Sequence, residues 1–269
     1  MYMWRSDFID SNGIRLHFTR TGGNKPELVL LHGFSDDGLC WSPIAEAISS
    51  DYDVIMLDAR GHGRSEAPPS GYSHDAHAAD VAGVITGLNL HKPRLMGHSM
   101  GAITALTLAS LYPDLTGRIV LEDPPPFWAP PAQTSEQVER RKMMGNWIID
   151  LKRKTRDEMI EDCRKLSPTW PEAERGPWAD SKIRLSLHVL NGFGEAGVDL
   201  QSVVRNIVCP SLLIRSDVSL GGITSEQNAE DLKRIVPHLQ VAHIAGAGHN
   251  IRRDQPERFL KIVREFLSI

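Results

Sequence analysis

Apolar positions fall into two regimes along this chain. In the first regime, short apolar runs alternate with segments of helical period. Phe8 to Phe18 carries Asn12-Gly13 between two alternating stretches, a hairpin signal because both turn positions tolerate positive φ. Leu28-Val29-Leu30-Leu31 is a continuous apolar run, as expected for a strand buried on both faces. Helix Trp41 to Ile48, strand Tyr52 to Leu57, helix Asp75 to Leu88, strand Pro93 to Gly97, helix Ile103 to Ser110 and an apolar run ending at Val120-Leu121 follow in turn. The pattern resumes with Ser211 to Ile214, Gln240 to Ile244 and a last helix from Gln255 to Leu267. Such alternation predicts an α/β fold: a mostly parallel, doubly wound sheet with helices on both faces and two antiparallel strands at its N-terminal edge.

The second regime lies between these portions. Pro124-Pro125-Pro126 and Pro130-Pro131 stop the alternation, and only helical patterns follow: Ser135 to Leu151, then Thr155 to Leu166, opened by a Thr155/Glu158 capping box. Met144, Trp147, Ile148 and Leu151 share one face of the first helix, and Met159, Ile160, Cys163 and Leu166 one face of the second. We expect residues 124–203 to form a helical cap over the C-terminal edge of a sheet built from 1–123 and 204–269, because α/β folds place their sites at that edge. Trp128, Trp147, Trp170 and Trp178 fall in this insert, where bulky residues are needed for any core at all. Trp128, just past the strand end, is the expected pocket residue, with Phe34 and Met100 lining the same pocket.

Gly97-His98-Ser99-Met100-Gly101 sits where a strand gives way to a helix, and it matches G-x-S-x-G. A sharp strand-to-helix turn holds such a serine proud of the backbone, and the flanking glycines leave no Cβ to clash. The Met100 N–H, at the helix start, then points to where an oxyanion would form. His32-Gly33-Phe34 ends an earlier strand, and its Phe34 N–H is placed to supply a second donor while His32 shapes the loop. The loop Asp58 to Ser65, rich in glycine and charge, is expected to brace the nucleophile loop from beneath.

Composition narrows the function classes. The 269 residues are 41% hydrophobic and 24% charged, enough for a sizeable core, and the formal net charge is −4 with no basic block. Nucleic-acid and anionic-membrane partners are therefore not expected. Cys40, Cys163 and Cys209 are far apart and without C-x-x-C spacing, which fits free thiols in a reducing compartment. Met1 to Asp7 lacks a leader pattern and no apolar run approaches ~18 residues, so a cytoplasmic protein is expected. No ligand cluster of plausible spacing calls for a metal or organic cofactor.

Together, His32-Gly33-Phe34, Arg60 to Ser65, Gly97 to Gly101 and Gly246-Ala247-Gly248-His249-Asn250 resemble, in that order, the motifs of the α/β-hydrolase superfamily over residues 6–123 and 204–269. The resemblance implies a Ser-acid-His triad with Ser99 as nucleophile and His249 as base. The acid is open. Most of the superfamily places it five residues past the strand Ser211 to Ile214, which here is Ser219, and Asp217 is the only carboxylate in that loop. Haloalkane dehalogenases and zearalenone-type lactone hydrolases place it one strand earlier, which aligns with Asp123, with Glu122 one residue off. Asp123 is preferred and Asp217 is the alternative. The resemblance further implies a serine hydrolase of small hydrophobic esters or lactones, acting through an acyl-enzyme. Carbon–carbon bond hydrolases, perhydrolases and receptor-like ligand binders share the constellation, and oligomeric state is not readable.

Overall fold

A computed structural model describes residues 4–128, 135–193, 195 and 197–268. Pro130-Pro131 and Met1 to Met3 lie outside the described residues. The hairpin β1 (Arg5–Ser11) and β2 (Ile14–Arg20) turns through Asn12 and Gly13 at φ 50° and 77°. It leads to the parallel strands β3 (Glu27–Leu31), β4 (Asp53–Leu57), β5 (Arg94–His98), β6 (Arg118–Glu122), β7 (Ser211–Arg215) and β8 (Gln240–His243). Their order is β1-β2-β4-β3-β5-β6-β7-β8, and β2 runs antiparallel to both β1 and β4. This is the expected α/β sheet with an antiparallel N-terminal edge.

The apolar runs divide by residue parity between two cores. Val29, Leu31, Ile55, Leu57, Leu95, Ile119, Leu121 and Leu213 face one side, against α2 (His74–Gly87), α3 (Met100–Leu111) and α8 (Glu226–Ile235). Leu28, Leu30, Val54, Met56, Met96, Val120, Leu212 and Ile214 face the other, against α1 (Ser42–Ile48) and α10 (Pro256–Leu267). A strand buried on both faces shows no polar alternation, which is why these runs read as continuous.

β6 and β7 are sheet neighbours, and the chain between them builds α4 (Ser135–Leu151), α5 (Arg156–Leu166), α6 (Glu172–Arg184) and the single turn α7 (Leu200–Val203). Thr155 caps α5 with the expected reciprocal box. Leu151, Met159, Cys163, Trp170, Trp178 and Ala179 make a small core of their own. Leu166, at the end of α5, is 76% exposed. Trp128 and Leu200, at the two ends of the insert, pack instead with the main core around α3.

Candidate active site

The strand-to-helix turn between β5 and α3 puts Ser99 at φ 51° and ψ −113°, a region that side-chain-bearing residues rarely enter and that costs about 1–3 kcal/mol. The flanking glycines show why the turn closes. A Cβ on Gly97 would stand 2.2 Å from Gly101 O, and one on Gly101 would stand 2.1 Å from Leu31 O on β3. Ser99 N–H donates to Glu122 O at 2.9 Å, which ties the turn to β6. Among the described residues, no group accepts from the N–H of Met100 or of Phe34. Both donors stay free.

His249 follows β8 in a glycine-rich loop and precedes the single turn α9 (Ile251–Asp254). Its Nδ1 lies 2.7 Å from Asp123 Oδ2. Asp123 is fully buried, with φ 43°, and its carboxylate also accepts from Ile223 N–H at 2.9 Å and Thr224 N–H at 3.1 Å. Two amides and one imidazole thus hold the carboxylate in a single orientation. The other carboxylates are engaged elsewhere. Asp217 accepts from Gly246 N–H and lies 2.7 Å from His243 Nε2, and these bonds, with Gly246 first, lower its pKa. Glu122 binds Arg252 Nη1 at 3.0 Å and its backbone N–H at 2.8 Å, while burial lifts its carboxyl against the pull of that arginine.

Ser99 and His249 line one cavity of about 290 Å³. No hydrogen bond joins the two side chains, and such bonds are commonly loose before substrate enters. Trp147, Trp170 and Trp178 line the cavity, with Phe34, Met144 and Leu166, so the aromatic wall is built by three tryptophans. Trp128, the residue expected there, is not among them. It is 2% exposed and its Nε1 donates to Asn228 O at 3.0 Å, because the first residues of the insert turn onto α8. Met100 is likewise absent from this wall; it lines a separate void of about 20 Å³ with Gly101 and Thr104.

His98, the second residue of the motif, donates from Nε2 to His249 O at 2.9 Å and so ties the Ser99 turn to the His249 loop. Burial, Arg252 and His249 hold its pKa well below that of free histidine. The carbonyl partner makes Nε2 the protonated nitrogen. His32 bonds Gly33 O through Nδ1 at 2.8 Å and receives Ala59 N–H on Nε2 at 3.0 Å, the loop-shaping arrangement. The Asp58–Ser65 loop reaches this same segment, with His62 Nε2 at 2.5 Å from Phe34 O. Its bonds run to the loop after β3 and, through Arg60, to Asp80 on α2, so it supports the Phe34 side of the site.

The sequence reading missed a buried charge cluster behind the cavity. Asp36 is bonded by Lys182 at 2.8 Å, Arg253 at 3.0 Å and Arg252 at 3.2 Å, and Arg253 continues to Glu174 at 2.9 Å. Burial works to raise the Asp36 carboxyl, and Arg253, Lys182 and Arg252 together overcome it and hold it well below the usual carboxylate range. The signal was position: Asp36-Asp37 begins one residue past one motif and Arg252-Arg253 one residue past another. Charges adjoining buried motifs must themselves be buried and paired. Among the described residues, no group of three or more His, Cys, Asp or Glu is arranged to hold a metal.

Fold and site define a hydrolase class, and comparison with known proteins places the chain in it. The family described as the alpha/beta hydrolase family matches residues 28–262, and the chain belongs to that family. Among curated proteins it is similar to N-formylmaleamate deformylase of Pseudomonas putida, at 29% identity over 97% of this chain and 95% of that protein. It is also similar to 2-(acetamidomethylene)succinate hydrolase of Mesorhizobium japonicum, at 28% identity over 97% of this chain and 94% of that protein. Among solved structures, E-2-(acetamidomethylene)succinate hydrolase superposes with a TM-score of 0.82 at 24% identity, over 99% of this chain and all of that one. No described helix is long and apolar enough to cross a membrane.

Proposed function

We propose that this chain is a serine hydrolase that cleaves small hydrophobic carboxylic esters or lactones through an acyl-enzyme. The observation that carries the reading is the bond from His249 Nδ1 to the buried Asp123, which leaves Nε2 facing the cavity that also holds Ser99. Ser99 Oγ attacks the substrate carbonyl carbon and His249 Nε2 takes the hydroxyl proton. Asp123 fixes the tautomer and stabilises the imidazolium. The free N–H groups of Phe34 and Met100 receive the developing oxyanion. The C–O bond then breaks, the alcohol leaves with the proton from Nε2, and water repeats the sequence on the acyl-enzyme. Cofactors have no part in these steps.

A volume of about 290 Å³ sits at the bottom of the usual ~300–1,000 Å³ range for small-molecule sites. The tryptophan wall favours an apolar acyl or alcohol group of modest size. The cap is the helical insert that carries this wall, and we assign the protein to the cytoplasm on its three free, buried cysteines.

A second reading, cleavage of an amide C–N bond, is favoured by the deformylase relative. It uses the same groups, with His249 protonating the leaving nitrogen. Both readings are tested with p-nitrophenyl esters from acetate to decanoate, a set of lactones and matching p-nitroanilides, on wild type and Ser99→Ala. We expect turnover of the shorter esters, absent in the variant. Anilide turnover exceeding ester turnover would move the assignment to the amide, and turnover surviving in Ser99→Ala would overturn both.

A further inference from the structure

The segment that presents the Phe34 N–H is held from behind at three successive carbonyls. Gly33 O accepts from Asp36 N–H at 3.0 Å and faces His32 Nδ1 at 2.8 Å. Phe34 O faces His62 Nε2. Ser35 O accepts from Lys182 Nζ at 2.8 Å. His32 and His62 belong to the sheet portion of the chain. Lys182 belongs to α6, in the helical insert.

Lys182 is 1% exposed and all three of its N–H groups are used: on Ser35 O, on Asp36 Oδ1 at 2.8 Å and on Ser181 Oγ at 3.2 Å. Its ammonium also lies 4.9 Å from the ring centre of Trp178, part of the cavity wall. The route to the reaction centre is short. Lys182 fixes the Asp36 side chain, the Asp36 N–H fixes Gly33 O, and Gly33 C=O shares one planar peptide with the Phe34 N–H.

We propose that Lys182 is a positioning residue for the Phe34 oxyanion donor, so that an ammonium carried by the insert sets the direction of the N–H that stabilises the transition state. The proposal rests on the serine hydrolase reading above. A lysine buried only to hold the insert down would bind any acidic group on the sheet portion. This one bonds the carbonyl and the carboxylate of the two residues that follow the donor in its own turn. Loss of its bonds lets the Gly33–Phe34 peptide rotate, which weakens binding of the oxyanion and leaves ground-state contacts with the tryptophans in place.

The test compares wild type, Lys182→Met, Lys182→Gln and Lys182→Arg in hydrolysis of p-nitrophenyl acetate and in inhibition by a trifluoromethyl ketone, which adds Ser99 Oγ to form an oxyanion. For Lys182→Met we expect kcat to fall ~10–100-fold with KM changed less than ~3-fold, and the ketone inhibition constant to rise by the same factor as kcat falls. Lys182→Gln keeps one donor for Ser35 O and is expected to lie between Met and wild type. Lys182→Arg keeps the charge beside Asp36 and folds where neutral variants do not; it is expected to show the same split at ~3–10-fold. Unchanged kcat and ketone affinity in every folded variant, or a change confined to KM, overturns the positioning role and leaves the hydrolase reading intact. Absence of turnover and of ketone binding in wild type overturns both.

Discussion

Two histidines six residues apart each pair with an aspartate, and the two pairs teach opposite things. His243–Asp217 and His249–Asp123 are each 2.7 Å long, and each aspartate also accepts a backbone N–H. In the first, the side chains are 37% and 26% exposed, the bond uses Nε2, and the serine cavity does not include either residue. In the second, the aspartate is fully buried, the bond uses Nδ1, and the histidine lines the same cavity as Ser99. The pair itself is therefore not the chemistry. What makes one pair a candidate general base is a dry, over-determined carboxylate on one side and a strained serine on the other.

Substitutions sharpen that contrast in descending order. Ser99→Ala is expected to remove ~10⁵-fold or more of kcat on p-nitrophenyl acetate and to abolish fluorophosphonate labelling, read by steady-state rate and intact mass. Asp123→Asn is expected to lower kcat ~10³-fold or more, whereas Asp217→Asn is expected to change it less than ~5-fold. Trp170→Phe removes the indole bond to Asp254 Oδ1 at 2.9 Å, and Asp254 also holds Gly248 N–H, beside His249, at 2.8 Å. One such bond corresponds to a loss of ~2–10-fold in kcat/KM. His243→Gln, on the exposed pair, is expected to leave activity unchanged and to move Tm by less than ~2 °C.

Stability against pH follows from the interior. His77 and His98 are both buried and held well below the free value, chiefly by burial, with neighbouring cationic and imidazole groups adding to it. The unfolded chain binds protons at these two sites below about pH 6.5 and the folded chain does not, so stability is full above that pH and falls below it. Each site contributes about 1.4 kcal/mol per pH unit of decline. Asp36, depressed, adds stability that is present above about pH 4 and is lost as pH falls further toward its folded value. Urea titrations at pH 7.5, 6.0, 5.0 and 4.0 check the sign; a rise in midpoint on acidification would contradict it.

Much of this molecule was legible in its residues. The parity split of Leu28 to Leu31 between two cores, the Asn12-Gly13 turn and the Thr155 cap are local patterns whose physics does not depend on distant chain. The serine turn was legible because the two glycines are demanded by backbone contacts of 2.1 and 2.2 Å. The acid was harder. Asp123 and Asp217 both lie just past strand ends, and only the folded positions of Ile223, Thr224 and His243 separate them. Trp128 misled because nearness to a strand end says nothing about which way the next turn runs. Asp36, Lys182 and Arg253 were passed over because charged residues ordinarily read as solvated, and three distant segments had to meet before they became a cluster.

The contrast between the two pairs comes down to one rate comparison: kcat of Asp123→Asn against Asp217→Asn on the best ester of the panel, each confirmed folded by its near-ultraviolet spectrum. The account predicts a deficit of ~10³-fold or more for the first and less than ~5-fold for the second. The reverse order, or equal and small losses, would contradict it.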